Sequence, residues 1–298
     1  VSPLELLLQQ LINAVSIGSL YALMAIGLSM VFGILRLINF AHGDLIMVGS
    51  YVALLLLMVG LPFPVAAIAG VAASTIAGLV MERVAYRPLR GAHEVAMLLT
   101  SFSVTIFLEN LAIIIFRPTS RAFPAPALLR GVIELGQLRL ASLDLIAIVV
   151  AAVLLIALTL FVTRTNIGIS MRAAAQDLVA AQLMGINVNR VIAVAFAIGS
   201  FLAGIVGLLW SVRVGKVDPL MGFNPVLKAF IASVIGGLGS LPGAVIGGYV
   251  LGALEILLQG LLPAALNPYR DAFVYAILIA LLLFRPSGIL GSTEREKI

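Results

Sequence analysis

Cysteine is absent from the 298 residues, and histidine occurs only at His42 and His93. The first absence excludes a disulfide framework and a thiolate metal site, and two histidines so far apart give no sign of a metal centre, so no metal ligand is expected. Charge is scarce too: Asp, Glu, Lys and Arg make up 10% of the chain. The longest polar loops, residues 117–142 and 164–190, fall well short of domain size, so one membrane-embedded unit over residues 1–298 is expected. There is no GxxxxGK[ST] nucleotide loop, no HExxH, no nucleophile elbow and no loop cluster of acid, base and nucleophile. The sequence thus offers no catalytic residues and no cofactor site, and ATP hydrolysis by that route is excluded.

What fills the chain is apolar: 62% of its residues, with a mean hydropathy of +1.20, far outside the range of soluble domains. Uncharged runs at 6–35, 45–81, 145–163 and 191–212 approach or exceed the roughly 20 residues that cross a hydrocarbon core of about 30 Å. With few period-two alternations, these runs read as helices and not as barrel strands. The expected fold is an all-α polytopic integral membrane protein of 8–10 transmembrane or re-entrant helices. Segments fall at 11–34, 44–59, 63–82, 95–116, 143–162, 191–212, 226–238, 244–262 and 269–284. Prolines at 62, 64, 118, 124, 126, 219, 225 and 268 set breaks by removing a donor and biasing the preceding residue away from helix. Asn267-Pro268 reads as a helix start with Asn as cap, and 226–238 as a piece that either crosses or re-enters.

The formal charge of +5 is spread over the loops, a topology signal and not a nucleic-acid patch. Arg83, Arg87 and Arg90 share a side with Arg164, Arg172 and Arg190, and with Arg285, Arg295 and Lys297 in the tail. That side is expected to be cytoplasmic. Arg117, Arg121, Arg130 and Arg139, offset only by Glu134, then lie outside, as does the N-terminus if all nine segments cross. Glu5 is the sole charge before Arg36, so the first span is expected to be a retained helix and not a cleaved leader.

Four polar motifs stand out. Asn39-Phe40-Ala41-His42-Gly43-Asp44 interrupts two apolar runs; it reads either as a broken helix lining a pathway or as an interfacial turn with His42 and Asp44 in water and Asp44 as a cap. In the fourth segment Thr100, Ser101, Ser103, Thr105, Glu109 and Asn110 gather, with Ser101, Thr105 and Glu109 on one face. Glu109 then faces a cavity, or else pairs near an interface, for instance with Arg117. Gly236, Gly237, Gly239, Gly243, Gly247, Gly248 and Gly252 make rows of small residues that let backbones approach closely, at a helix or subunit interface. Glu255 on the same helix reads as interfacial. Last, Asp177 caps a helix over 178–184 that Gly185 closes in the left-handed conformation. A helix this short cannot stand alone in water and must lie on a membrane or in a partner's groove.

Together, residues 38–44 with Gly49 and Tyr51, the run Met171-Arg172-Ala173-Ala174-Ala175-Gln176-Asp177 to Ile186, the run 236–248 and the tail 284–291 resemble the permease subunits of bacterial ABC importers for branched-chain amino acids. Urea and amide permeases are close relatives. The resemblance spans nearly the whole chain. It implies a membrane subunit of the bacterial inner membrane that pairs with a second, similar permease and sits on two ATP-binding subunits. These would hold the ATP and Mg, and a soluble solute-binding protein outside would feed the channel. It also implies that Arg172, Asp177, Ala180, Ala181, Met184, Gly185 and Ile186 couple to the ATPase, and it favours the pathway reading of Asn39, His42 and Asp44. Two departures from the family pattern are visible: Leu178 and Val179 stand where a proline and an acidic residue are usual, and Glu109 where glutamine is. The rivals are a gradient-driven carrier or channel with Asp44, Glu109 or Glu255 as ion sites, and a membrane scaffold that moves no solute.

Overall fold

The computed structural model describes residues 3–135, 138–285 and 287–290. The described residues form twelve α-helices: α1 Pro3–Leu35, α2 His42–Met58, α3 Phe63–Met81, α4 Glu94–Phe116, α5 Ala127–Arg130, α6 Ser142–Arg164, α7 Asn166–Gln176, α8 Leu178–Leu183, α9 Val188–Val214, α10 Phe223–Gly236, α11 Leu241–Leu261 and α12 Arg270–Phe284. A π-helical turn, Glu82–Tyr86, continues α3. Four short strands, β1 Arg121–Ala122, β2 Val132–Leu135, β3 Leu138–Ala141 and β4 Lys216–Val217, make two small antiparallel pairs: β1 with β4, and β2 with β3 in the register Val132↔Ala141 to Leu135↔Leu138. Among the described residues seven helical stretches are long and apolar enough to cross a membrane, the last being α12 together with the turn at 267–269, so the protein is a multi-pass membrane protein.

α2 and α10 are different. At 17 and 14 residues they reach about 25 and 21 Å, short of the hydrocarbon core. Both begin part-way along the bundle, α2 at buried His42 and α10 beside buried Gly222. One end of the bundle carries α8, and the other carries the two small sheets. α1 runs toward the α8 end, residues 36–41 turn back inward, and α2 then runs to the sheet end. α9 does the reverse: it ends at the sheets, residues 215–222 turn back, and α10 runs to the α8 end. Then α3 and α4 are matched, upside down, by α11 and α12. α1 packs along α11 as α9 packs along α3, so the first helix of each half lies on the third helix of the other. This is an inverted repeat with two half-helices whose N-termini meet in the interior.

Glycine makes that meeting possible. A Cβ on Gly43 would lie 2.4 Å from the Gly222 carbonyl oxygen, and one on Gly222 would lie 2.2 Å from the Gly43 oxygen. The sequence rows of small residues divide by partner. Gly243 abuts Gly236, and Gly247 abuts Ala232, joining α11 to α10, whereas Gly248 meets Ala22, Gly252 meets Gly18 and Gly239 meets Gly33, joining α11 and its leading turn to α1. Gly237 and Gly239 take positive φ in the turn between α10 and α11. These rows pack within the chain.

The remaining boundaries differ from the sequence reading in informative ways. Asp44 is not a cap: α2 begins at His42 with Ala41 as N-cap, and Asp44 sits in its first turn. His42 and Asp44 do not face water, since each is 2% exposed. Asn267-Pro268 opens a 3₁₀ turn, Asn267–Tyr269, with no side-chain cap, and α12 starts at Arg270. The 164–190 interruption holds two helices, α7 and α8, and α8 ends at Leu183. Of the residues named from the sequence, Pro286, Gly291, Arg295 and Lys297 lie outside the described residues.

Candidate functional site

The buried polar groups concentrate where α1 stops and α2 starts. Arg36 takes φ 54° and ends α1, its N–H donating to the Phe32 oxygen at 2.8 Å. The chain from there to Ala41 re-enters the bundle with its backbone satisfied by short turns: His42, Gly43 and Asp44 N–H groups donate to the oxygens of Asn39, Phe40 and Ala41. Side chains from neighbouring elements hold the rest. Tyr86, in the π-helical turn, donates its hydroxyl to Asn39 Oδ1 at 2.8 Å. The Phe40 N–H donates to Ser101 Oγ on α4 at 2.7 Å, and the Phe40 ring stacks on Phe102 and tilts against Phe230 of α10.

Around this break lie polar atoms with no protein partner. His42 Nε2, Asp44 Oδ2 and Thr105 Oγ1 are buried without a hydrogen bond, although buried polar groups are almost always paired. The Thr105 hydroxyl is near the Asp44 carboxyl without reaching hydrogen-bond geometry, and Glu109 brings a second carboxyl close to it. His42 lies against Gly27 of α1, where an added Cβ would be 2.8 Å from His42 Cε1. The junction therefore gathers Asn39, His42, Asp44, Ser101, Thr105 and, at its edge, half-buried Glu109. Thr100 and Asn110 are not part of it. Thr100 bonds the Ala96 oxygen and Asn110, exposed, bonds the Ile106 oxygen, each satisfying its own helix. Glu109 has no ion pair with Arg117 among the described residues.

Glu255 lies buried at the interface between helices. It is 1% exposed and takes the Tyr21 hydroxyl at 2.6 Å, Lys228 Nζ at 2.6 Å and Arg270 Nη2 at 2.7 Å. Lys228 also reaches Asp271 at 3.6 Å, and Arg270 reaches it at 3.5 Å. Two cations and two anions thus tie α10, α11 and α12 to α1. Nearer the sheet end, Arg213 of α9 pairs with Asp144 of α6 at 2.8 Å, and Ser16 of α1 donates to the same carboxylate oxygen at 2.6 Å.

At the opposite end the docking candidate has both its caps. Asp177 Oδ1 accepts from the N–H groups of Val179 and Ala180 at 2.8 and 2.9 Å. Gly185 takes φ 82°; its N–H donates to the Gln182 oxygen, and that of Ile186 to the Ala181 oxygen, the paired bonds of a Schellman closure. Ala181 points inward, while Val179, Ala180, Leu183, Met184 and Gly185 are exposed. Arg172 lies on α7, exposed. A few residues on, Asn189 in the first turn of α9 accepts from Arg90, which also pairs with buried Glu82 of the π-helical turn.

The family described as "Branched-chain amino acid transport system / permease component" matches residues 10–282. The chain belongs to this permease family. Across 98% of its length the permease is 41% identical to the high-affinity branched-chain amino acid transport system permease protein BraD of Pseudomonas aeruginosa, covering 98% of that protein. Identity to the Escherichia coli protein LivH, of the same description, is 40% over 98% of this chain and 97% of that one. To E. coli LivM, another permease protein of such a system, it is 28% over 96% of this chain and 71% of LivM. No solved structure matches.

Sequence reasoning passed over three residues that the permease uses to build these sites. Tyr86 and Arg90 lay in what reads as a basic loop, and Lys228 lay unremarked in an apolar run. The signal for Lys228 was available: a lysine inside a span needs a carboxylate, and Glu255 was the unpaired one to hand.

Proposed function

We propose that this permease is the membrane-spanning subunit of an ATP-driven importer, carrying branched-chain amino acids or similar small polar solutes into the cytoplasm across the bacterial inner membrane. The observation that carries the reading is full-length identity of about two residues in five to the proteins named BraD and LivH. The chain itself does no chemistry and holds no cofactor. ATP and Mg belong on two separate ATP-binding subunits, a second homologous permease completes the channel, and a soluble solute-binding protein docks at the sheet end, where Arg117, Arg121 and Arg130 line one basic recess. No nucleic acid takes part.

The geometry supports a division of labour. α8 is a capped helix with apolar side chains turned outward, suited to a groove on an ATPase. The coupling contacts fall to Asp177, Ala180, Met184, Gly185 and Ile186, with Ala181 seating the helix and Arg172 one helix earlier. The half-helix junction is the pathway element. The N-termini of α2 and α10 present positive dipole ends to a substrate carboxylate, and the Asp44 and Glu109 carboxyls suit its ammonium group. Rocking of the halves would open the junction alternately, with affinity residing in the binding protein and not here.

The unpartnered Asp44 oxygen also fits an ion site in a gradient-driven carrier, so the test separates the two. The tagged chain is extracted from its native membrane and reconstituted with whatever accompanies it, and leucine uptake is driven by ATP or by a proton gradient. ATP-driven uptake with an ATPase and a second permease present, weakened by Asp177→Ala, is the expected result. A chain that purifies alone and responds to the gradient overturns the proposal.

A further inference from the structure

On the face turned away from α4 a groove of about 860 Å³ opens between α1, α6, α7 and α11. Its α6 wall runs from Leu155 to Thr163 and its α1 wall from Ile26 to Ile34. Eight positions at the helical rise make about 12 Å, close to one leaflet's half of a core about 30 Å thick. The walls are aliphatic for most of that depth. Both end at the α8 end of the bundle, and there the character changes. Arg172 lines the mouth together with Gly239, Ser240 and Leu241 at the N-terminal end of α11. Arg164 follows the lining residue Thr163, and Arg36 follows α1 two residues beyond the lining residue Ile34. Inside, Ser29 is among the lining residues and is 1% exposed.

We infer that this groove is a binding site for one anionic phospholipid of the leaflet on the α8 side. Its acyl chains would fill the aliphatic walls, and its phosphodiester would sit at the mouth. There the positive end of α11 and the arginines complement it, as basic residues near a membrane surface do for anionic headgroups. A neutral aliphatic occupant would leave the charge at the mouth unanswered. The inference does not rest on the importer reading.

The test is native mass spectrometry of the complete assembly, delipidated and then exposed to nanodiscs of phosphatidylglycerol or phosphatidylcholine. Wild type is expected to retain one phosphatidylglycerol and to prefer it over phosphatidylcholine. Arg172→Gln is expected to lower that retention about fivefold, the factor for one basic residue near a headgroup. Ile246→Trp, at a partly exposed groove wall that tolerates bulk, is expected to displace either lipid. Arg139→Gln, exposed at the opposite end, leaves retention unchanged. Equal retention of both lipids by wild type, or an unchanged Arg172→Gln, overturns the site. So does a cross-link from a photoreactive residue at 246 to a protein partner, which would show the groove to be covered.

Discussion

The cluster of Lys228, Glu255, Arg270, Asp271 and Tyr21 makes a sharp prediction because its charges balance only as a set. At 2.6 Å the Lys228–Glu255 attraction is about 6 kcal/mol at an effective dielectric of 20. Taking both ions out of water cancels much of that, and removing one partner of such a pair typically costs about 3–5 kcal/mol. Lys228→Met leaves Glu255 with Arg270 at 2.7 Å and Tyr21 at 2.6 Å, so its cost should fall near about 3 kcal/mol. Glu255→Gln is worse. It leaves two cations with Asp271, which lies 3.5 Å or more from either, and should reach the upper end, about 5 kcal/mol. The double variant restores balance, with Arg270 against Asp271.

Thermal unfolding of the purified chain should therefore rank wild type first, Lys228→Met next, and the double variant above Glu255→Gln. That order requires a coupling between the two changes a little above about 3 kcal/mol, the top of the usual range for residues in contact. Additive losses would refute a paired network. So would a Glu255→Gln protein of wild-type stability that no longer transports, which would make the carboxylate a transport group and revive the gradient-driven reading.

Other outcomes follow from the geometry. Gly43→Ala forces a methyl into the Gly222 carbonyl, where neither backbone is free to yield, so a stability loss of about 3 kcal/mol is expected; a wild-type melting temperature would show that the half-helices do not abut. Asp177→Ala removes two cap bonds and about 1 kcal/mol from α8, so ATP-driven uptake should fall while the melting temperature of the bundle barely moves; parallel loss of both would place α8 in the core. Tyr86→Phe frees Asn39, and transport should drop several-fold with ATPase binding intact; unchanged uptake would make that hydrogen bond incidental to the cycle.

The sequence revealed the fold class because each feature that carries it is local. Uncharged runs give spans, Asp177 and Gly185 give caps, and prolines give breaks. All nine predicted segments match helices. The inverted repeat was not legible: α2 and α10 share no motif, and their likeness is one of direction and depth, which a period cannot express. The water-facing turn at residues 39–44 failed for the same reason. Whether a histidine and an aspartate face solvent depends on how far the chain re-enters after Arg36, and the sequence does not encode that distance locally. Lys228 and Glu255 meet only after α10 turns back on α11.

The two half-helices are alike in placement and unlike in how they are held. α10 carries Lys228, bound by ions to two further helices and to Tyr21 of α1, and its C-terminal oxygens at Ile235 and Gly236 accept the N–H groups of Ile289 and Leu290. α2 has no ion pair among the described residues. Neutral hydrogen bonds hold the segment leading into it, from Tyr86 and to Ser101, and Tyr86 belongs to the π-helical turn that Arg90 links to the start of α9. A neutral bond is cheaper to break than a buried ion pair left half empty. The half-helix held without ions is therefore the one whose leading segment is anchored by an element that reaches back toward α8. On the proposed coupling to an ATPase, the expectation is that a pull reaches the junction through α2 sooner than through the ion-anchored α10.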